Sequence, residues 1–542
     1  MQTIKTAIIH NGLASFIVLM LVVLITLPMI ALFGLGIGNS QEIWGHLLET
    51  VFPRYLRNTV VLTLGCGFVA LMFGAGSGWL LSRYQFFGHR VLDFMLLLPA
   101  AVPAYITAYA YTNFLEYAGP VQSWLREFFG WENARGYWFF DIRSMEGAIL
   151  VMGSVLYPYV YILTRLAFRR MPQSLFETAR LQGQSVFWDV ALPMARPAIV
   201  MGLALVSMEV VSDFGVVEYF AIETLALGVY NVWLGMNNLA AAAQLSMIAF
   251  SVIFILLAIE LISRRNQRYA DMRRNFEPSR PNQLHGWKSM TCCILCMIPV
   301  IIGFLVPVTI IITYAVRKYD VQEQMLLLSI GQNSLMIAAL TTVILVFCAT
   351  IMVVMSRFRT GAVVQNIANL STFGYAVPGT MLALGVLIVA GLVDEGLVGL
   401  ARFFGFEIRA ILSGTIILLV LAYMARFQVF SFGTIDNGIK NLPGNLVAAS
   451  RLLGAGLVQS IIRVVMPLLH KFFLASALLV FVEVMKELPM TLLLRPFDFH
   501  SLATYTYQYA SDEQLSRAAL PALAIIMTGL IPILLLNSFL KR

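Results

Sequence analysis

Residues 171–183 read MPQSLFETARLQG, and residues 442–454 repeat the pattern as LPGNLVAASRLLG. Each copy has a proline where a short helix begins, small residues along that helix and a glycine where it ends. The pattern predicts an exposed helix whose alanine face can enter a groove of a partner. An ordinary helix–turn–helix loop is the alternative for one copy, but two equivalent copies favour docking. We call residues 172–193 and 443–467 the first and second coupling loops.

The composition of the chain is that of a membrane protein. Of the 542 residues, 59% are hydrophobic and 12% are charged, whereas roughly 25% are charged in soluble domains. Apolar stretches of about 20 residues recur along the whole length, which excludes a single membrane anchor. The five cysteines lie in apolar stretches and indicate neither a disulfide framework nor a zinc site.

About twelve membrane spans are expected. They are 13–36, 59–82, 91–118, 147–168, 198–220, 245–262, 290–316, 334–355, 367–392, 411–432, 473–494 and 519–540. With the N-terminus inside, the arginine-rich run 264–288 and most other basic loop residues fall on one side, which is therefore cytoplasmic. Both termini are then cytoplasmic. The net charge of +8 thus reflects orientation in the membrane, and no nucleic-acid partner is expected.

The chain also contains an internal duplication at a nearly constant offset. The matching pairs are Asn58-Thr59 with Asn333-Ser334, Ser82-Arg83-Tyr84 with Ser356-Arg357-Phe358, Pro103 with Pro378, Phe128-Phe129-Gly130 with Phe403-Phe404-Gly405, Ile142-Arg143 with Ile408-Arg409, and Pro193 with Pro467. The fold class expected is an all-α polytopic membrane protein with two parallel pseudo-repeats of six spans and a path between them.

The expected division of the chain follows this duplication. It consists of a first span with its outer loop (1–57), a first helical core (58–262), a cytoplasmic linker (263–289), a seventh span with its outer loop (290–332) and a second helical core (333–542).

Both coupling loops resemble the EAA loop of ABC importer permeases. The resemblance assigns contact with an ATPase to Pro172, Glu177, Ala179, Gly183, Pro443, Ala448, Ala449 and Gly454. The second copy has Ala448 where the family has glutamate, and it is longer after its glycine, so asymmetric docking is expected. The chain has no GxxxxGK[ST] phosphate loop. It is therefore not expected to be an enzyme or to bind a cofactor, and ATP and Mg belong to the two partner ATPase subunits.

The fifth span of each half carries acidic residues at matching positions. Glu209 corresponds to Glu483, and Asp213 to Glu487. Their spacing of four predicts that each pair shares one face of a helix. Glu218 extends the first set. Charges near the bilayer centre cost roughly 2.5–3.5 kcal/mol on insertion scales, so these faces are expected along a translocation path.

Two further readings of these acids stay open. Lys486 can neutralise one neighbour, and pairing with arginines such as Arg165 or Arg426 is an equal alternative to contact with cargo. As hard oxygen ligands, carboxylates suit ferric iron better than an anion.

The second-half stretch 482–497, VEVMKELPMTLLLRPF, with 507–513, YQYASDE, resembles the fused permease of bacterial ferric-iron ABC importers. Its first-half counterpart is 212–220, SDFGVVEYF. The resemblance runs from about Asn58 to Pro532. It implies a type I importer-like fold in the bacterial inner membrane, a periplasmic ferric-iron-binding protein and surrounding lipid. No tightly bound metal is implied, only transient contact at Glu209 and Glu483.

The resemblance also implies where the binding protein lands. The outer loops 119–146 and 393–410 carry Phe128, Phe129, Phe403 and Phe404, although such aromatics also serve as interfacial anchors. A fused thiamine permease is the nearest alternative in substrate. An ion-coupled secondary transporter that uses the membrane carboxylates as its relay is the alternative in class.

Overall fold

The computed structural model describes residues 2–38, 41–265, 281–317, 321–358, 362–407 and 411–540. Most of the expected linker 263–289 lies outside these residues, as do Ile408 and Arg409. The first-half helices are α1 (Gln2–Gly36), α2 (Gln41–Glu49), α3 (Phe52–Arg83), α4 (His89–Met95), α5 (Ala104–Leu115), α6 (Pro120–Phe129), α7 (Met145–Arg169), α8 (Gln173–Leu181), α9 (Leu192–Ser212), α10 (Gly215–Tyr219), α11 (Leu225–Tyr230) and α12 (Leu239–Arg265).

The second half is also built from helices. Its helices are α13 (Trp287–Val300), α14 (Val306–Arg317), α15 (Val321–Phe358), α16 (Ala362–Leu370), α17 (Gly379–Phe403), α18 (Ile416–Lys440), α19 (Leu446–Leu452), α20 (Leu457–Ser460), α21 (Met466–Leu468), α22 (His470–Lys486), α23 (Pro489–Leu494), α24 (Leu502–Ser511) and α25 (Leu515–Leu540). Among the described residues, the only strands are β1 (Tyr84–Gln85) and β2 (Asn282–Gln283), which pair in parallel.

The expected all-α polytopic fold is confirmed. Within the described ranges, nine helices are long and apolar enough to cross a membrane, or up to eleven if two bent pairs each count as one span. The bends are 91° between residues 89–101 and 104–129, and 65° between residues 457–468 and 470–486. Each of the twelve expected spans overlaps a helix, but the spans 91–118, 198–220, 367–392 and 473–494 are each divided between two helices.

One compact unit comprises residues 40–320 and 505–533. Its centre is the contact between α3 and α7, where glycines allow the backbones to approach closely. A Cβ added at Gly74 would lie 2.8 Å from the carbonyl oxygen of Tyr157. Helices α13 and α14 of the second half also belong to this unit, and the Tyr111 hydroxyl donates a 2.7 Å hydrogen bond to the Ile302 carbonyl.

The other unit comprises residues 1–39, 321–504 and 534–542. Its core places Val18, Val22 and Ile25 of α1 against Met352 of α15 and Phe432 of α18. The first helix of the chain therefore packs with second-half helices, while α13 and α14 pack with first-half helices. Each unit therefore contains the opening helices of the other half of the chain. These apolar helices bury their sides against the core of the unit to which they belong.

Helix α17 begins and ends about eleven residues later than the expected span 367–392. It runs to Phe403, so residues 393–403 of the expected outer loop are helical. Asp394 is buried in this helix, and its carboxylate accepts hydrogen bonds from the N–H groups of Ile411, Leu412 and Ser413 at 2.8–2.9 Å. These bonds hold the segment that precedes α18 against α17.

Candidate coupling loops and translocation site

The first coupling loop forms a short helix that is anchored on one side. Helix α8 follows Pro172 and ends before Gly183, whose φ of +70° suits glycine. Phe176 and Ala179 are 1% and 2% exposed and pack inward. Glu177 is exposed, and Leu181 is 89% exposed. The surface that this copy offers to a partner therefore contains Glu177 and Leu181 rather than Ala179.

A buried arginine joins this coupling helix to a membrane span. Arg83, the last residue of α3, places its guanidinium 4.5 Å from the centre of the Phe176 ring. Its Nη1 also donates a 3.2 Å hydrogen bond to Oε1 of Gln173. Gln173 in turn donates to Glu177 at 3.1 Å. Sequence reasoning missed the role of Arg83, although the repeated Ser-Arg-aromatic triplet was a signal for it.

The second coupling loop is more exposed than the first. Helix α19 has no buried residue, so Ala448 and Ala449 face outward. Leu452 and Leu453 are 90% and 89% exposed. Gly454 has a φ of +91° and follows the helix as Gly183 does in the first copy. Pro443 is exposed and precedes α19 by three positions.

The arginine that corresponds to Arg83 has a different partner. Arg357 pairs with Asp436 of α18 at 2.7 Å. Asp436 also pairs with Lys440 at 2.7 Å. The two coupling loops therefore differ both in exposed surface and in their connection to the spans.

The first-half acids do not share one helical face, so that prediction was wrong. Helix α9 contains Glu209 but ends at Ser212, and Asp213 has extended backbone angles. The Asp213 carboxylate accepts a 2.8 Å hydrogen bond from the Val216 N–H at the start of α10. Aspartate commonly caps a helix in this way, and capping competes with continuation of the preceding helix.

In the second half, the helix ends at the position equivalent to that in the first half. Helix α22 ends at Lys486, and Glu487 accepts hydrogen bonds from the N–H groups of Met490 and Thr491, both at 3.1 Å. Nη1 of Arg426 lies 3.9 Å from Oε1 of Glu487. The expected pairing with Arg426 is therefore present, and the break explains why Glu483 and Glu487 do not share a helix either.

The other two basic residues named as possible partners, Lys486 and Arg165, pair with acids of different helices. Lys486 pairs with Glu483 at 2.9 Å, as the sequence indicated. Arg165 pairs instead with Asp93 of α4. Within the part of the chain that the structure describes, no basic side chain lies within 4 Å of Asp213 or Glu218. Asp213 and Glu218 thus lack, among the described residues, the nearby basic partner that Glu483 and Glu487 have.

Residues 70–273 match the family described as "Binding-protein-dependent transport system inner membrane component". This region of the chain is therefore a permease domain of that kind. The permease is 24% identical over 534 residues to the "Fe(3+)-transport system permease protein FbpB 2" of Haemophilus influenzae, covering 96% of this chain and 97% of that protein. The predicted resemblance to fused binding-protein-dependent permeases is confirmed.

Permeases of sulfate and molybdenum transport systems are similar over a shorter length. The permease is 24% identical over 242 residues to the "Sulfate transport system permease protein CysT" of Escherichia coli, covering 42% of this chain and 83% of the relative. It is 27% identical over 199 residues to the "Molybdenum transport system permease protein ModB" of the same species, covering 35% and 83%. Both matches span less than half of the permease.

The four phenylalanines expected at the outer surface are exposed. Phe128 and Phe129 end α6, whereas Phe403 ends α17 and Phe404 follows it. In the first half, the aromatic stack continues from Phe129 to Trp131, with ring centres 4.7 Å apart. These rings are available to lipid or to a partner of the permease, and their docking role stays a prediction.

Proposed function

We propose that this chain is the membrane-spanning subunit of an ABC importer for ferric iron. The observation that carries this proposal is the similarity along 96% of the chain to a ferric-iron permease in which the alignment also covers 97% of the relative. A periplasmic binding protein delivers the iron, and two ATPase subunits dock on the two coupling loops. Both termini lie in the cytoplasm.

The carboxyl groups of Asp213 and Glu218 support a cationic cargo. Asp213 and Glu218 have no basic partner within 4 Å among the described residues. Uncompensated carboxylates attract cations and repel sulfate or molybdate. This argument separates the ferric-iron proposal from the sulfate and molybdenum systems, whose permeases match less than half of the chain. Thiamine remains the alternative among cationic cargoes.

The contacts of α8 support a mechanism for coupling. When the ATPase subunits close on ATP and Mg, they displace α8 and α19. Arg83 links α8 to the end of α3 through Phe176 and Gln173. Movement of α8 therefore pulls on a membrane span, and the two helical bundles alternate between inward-open and outward-open packings.

Transport by the complete complex tests this proposal. The permease is reconstituted in liposomes with its ATPase and binding protein, and uptake of ferric iron, molybdate, sulfate and thiamine is compared. ATP-dependent accumulation of iron alone is expected. Uptake of another cargo instead of iron would refute the proposal that ferric iron is the substrate.

Two controls separate coupling from the rival transporter class. Deletion of residues 177–183 or 448–454 should abolish uptake and ATPase co-purification while the chain still inserts. Normal uptake by either deletion would refute docking at these loops. Gradient-driven uptake by the chain alone would favour the ion-coupled secondary transporter.

A further inference from the structure

Backbone hydrogen bonds join the loops that lead into α4 and α13, which belong to one compact unit. The strands β1 and β2 pair in parallel, and the Leu284 N–H donates a 2.9 Å hydrogen bond to the Gln85 carbonyl. Two residues beyond β1, the Phe87 N–H donates a 3.0 Å hydrogen bond to the hydroxyl of Ser289, a buried residue. The first turns of α4 and α13 are therefore neighbours, and the two helices pack against each other.

Two aromatic side chains beside these bonds are exposed. Phe87 is 79% exposed and Trp287 is 74% exposed. Each lies next to a glycine with a positive φ, +75° at Gly88 and +63° at Gly286, which lets the chain turn sharply into the helix that follows. Trp287 is the first residue of the apolar helical segment Trp287–Val316, which is long enough to span a membrane. Tryptophan at such a position is typical of the headgroup level of a bilayer.

Exposed cations begin the same two helices. Arg90 is the second residue of α4 and Lys288 is the second residue of α13, and both are exposed. Within the ranges that the structure describes, neither side chain has a carboxylate within 4 Å of its nitrogen atoms. The stretch 264–280, which precedes β2 in sequence, contains six arginines and two acidic residues. The surface formed by Phe87, Arg90, Trp287 and Lys288, here called the Arg90–Lys288 surface, therefore combines aromatic rings with positive charge.

We infer that the Arg90–Lys288 surface binds the phosphate-bearing headgroups of anionic phospholipids. Guanidinium and ammonium groups form charge-assisted hydrogen bonds with phosphate oxygens, and each basic residue close to an anionic bilayer contributes to binding. A zwitterionic headgroup has no net charge, so the surface should prefer anionic lipid. In the proposed orientation, with both termini in the cytoplasm, this lipid lies in the cytoplasmic leaflet.

A lipid bound here would steady the part of the chain that contacts the first coupling loop. Strand β1 begins at the residue after Arg83, whose guanidinium lies 4.5 Å from the centre of the Phe176 ring of α8. Nε2 of His89, the first residue of α4, also lies 2.8 Å from the Leu81 carbonyl oxygen of α3. The Arg90–Lys288 surface is therefore fastened to the helix that carries Arg83. ATP-driven transport should then increase with anionic lipid, a consequence that rests on the proposed function.

Native mass spectrometry of the purified chain in detergent measures lipid binding without transport. The chain is titrated with phosphatidylglycerol and, in a separate series, with phosphatidylcholine. Tighter binding of phosphatidylglycerol is expected. The double variant Arg90→Gln/Lys288→Gln should weaken phosphatidylglycerol binding about thirtyfold, which is about fivefold for each cation. Equal affinity of the unaltered chain for the two lipids would overturn the inference.

Arg451→Gln/Arg463→Gln is the matched control. It removes two exposed arginines that are also expected on the cytoplasmic side, but the stretch 441–469 around them has no aromatic residue. This variant should keep its affinity for phosphatidylglycerol. Both double variants should unfold at the temperature of the unaltered chain in lipid-free detergent, because the substituted side chains are exposed. An equal loss of affinity in the two variants would show a general effect of charge and would overturn the inference.

ATPase association distinguishes lipid from a protein partner as the occupant of this surface. In detergent, Arg90→Gln/Lys288→Gln should bind the ATPase subunit as tightly as the unaltered chain does. Weaker ATPase association together with unchanged phosphatidylglycerol binding would assign the surface to the ATPase and contradict the inference.

Uptake in liposomes gives the functional readout. The complete complex is reconstituted in phosphatidylcholine with or without phosphatidylglycerol, and the amount of iron imported per ATP hydrolysed is compared. Phosphatidylglycerol should raise this ratio for the unaltered chain and much less for Arg90→Gln/Lys288→Gln. Failure of the unaltered complex to import iron in both lipid mixtures contradicts the proposed function. An equal response of the two chains to phosphatidylglycerol contradicts the inference and leaves the proposed function intact.

Discussion

The exposed leucines of the coupling loops allow a quantitative test of docking. Leu181 and Leu452 occupy equivalent positions two residues after the Ala179/Ser450 pair and are 89% and 90% exposed. Burial of one leucine side chain in a partner contributes about 2 kcal/mol. Leu181→Ser or Leu452→Ser should therefore weaken association with the ATPase by about thirtyfold, since 1.4 kcal/mol corresponds to a factor of ten.

The two sites lie in different loops, so their effects should add. The double variant should lose about 4 kcal/mol, which is about a thousandfold in affinity for an ATPase pair that engages both loops. Affinity is measured between the detergent-purified permease and its ATPase by a surface-immobilised binding assay, and co-purification gives a second readout.

Leu453→Gln is the matched control for the leucine prediction. It changes an equally exposed neighbour of Leu452 into glutamine, which the first copy has as Gln182. This variant should bind much more tightly than Leu452→Ser. All variants should retain the unfolding temperature of the unaltered chain, because the substituted side chains are exposed. Unchanged ATPase affinity in the double variant would refute docking through these leucines.

Three other substitutions probe the contacts that hold the fold and the coupling helix. Arg83→Gln removes the guanidinium above the Phe176 ring. The number of cargo molecules moved per ATP hydrolysed should therefore fall about tenfold in the reconstituted complex. An unchanged ratio would contradict the proposal that Arg83 transmits the movement of α8 to α3. Asp394→Ala leaves three backbone N–H groups without their carboxylate acceptor and should destabilise its unit by about 2 kcal/mol, measured as a lower thermal unfolding temperature. Gly74→Ala should lower the free energy of unfolding by about 1–3 kcal/mol, because its Cβ would approach the α7 backbone at 2.8 Å. Gly76→Ala is the control, because a Cβ there meets nothing within 4 Å. Equal unfolding temperatures for these two variants would contradict the close packing of α3 against α7.

The spans were predictable because they depend on local composition. A bilayer requires about 20 consecutive apolar residues, and this requirement is met or violated within each segment. The proline and glycine at the ends of α8 act through backbone restrictions that are equally local. For the same reason, the sequence indicated that the two coupling loops differ: Glu177 has no counterpart at Ala448, and the loops differ in length.

The partners of polar residues could not be predicted, since they depend on which helices meet. The spacing of Glu209 and Asp213 suggested one helical face, but capping of α10 by Asp213 ended the helix first. Likewise, nothing in the spacing indicated that Arg165 pairs with Asp93 while Arg426 pairs with Glu487.

By itself, the sequence determined an all-α polytopic membrane protein with a short helix in each of the two coupling loops, because hydrophobicity and helix-end signals act over short stretches of chain. Only the tertiary structure decided which surface of each loop is exposed and which basic residues pair with Glu483 and Glu487. Burial and charge pairing are properties of neighbours in space, and residues hundreds of positions apart supply those neighbours.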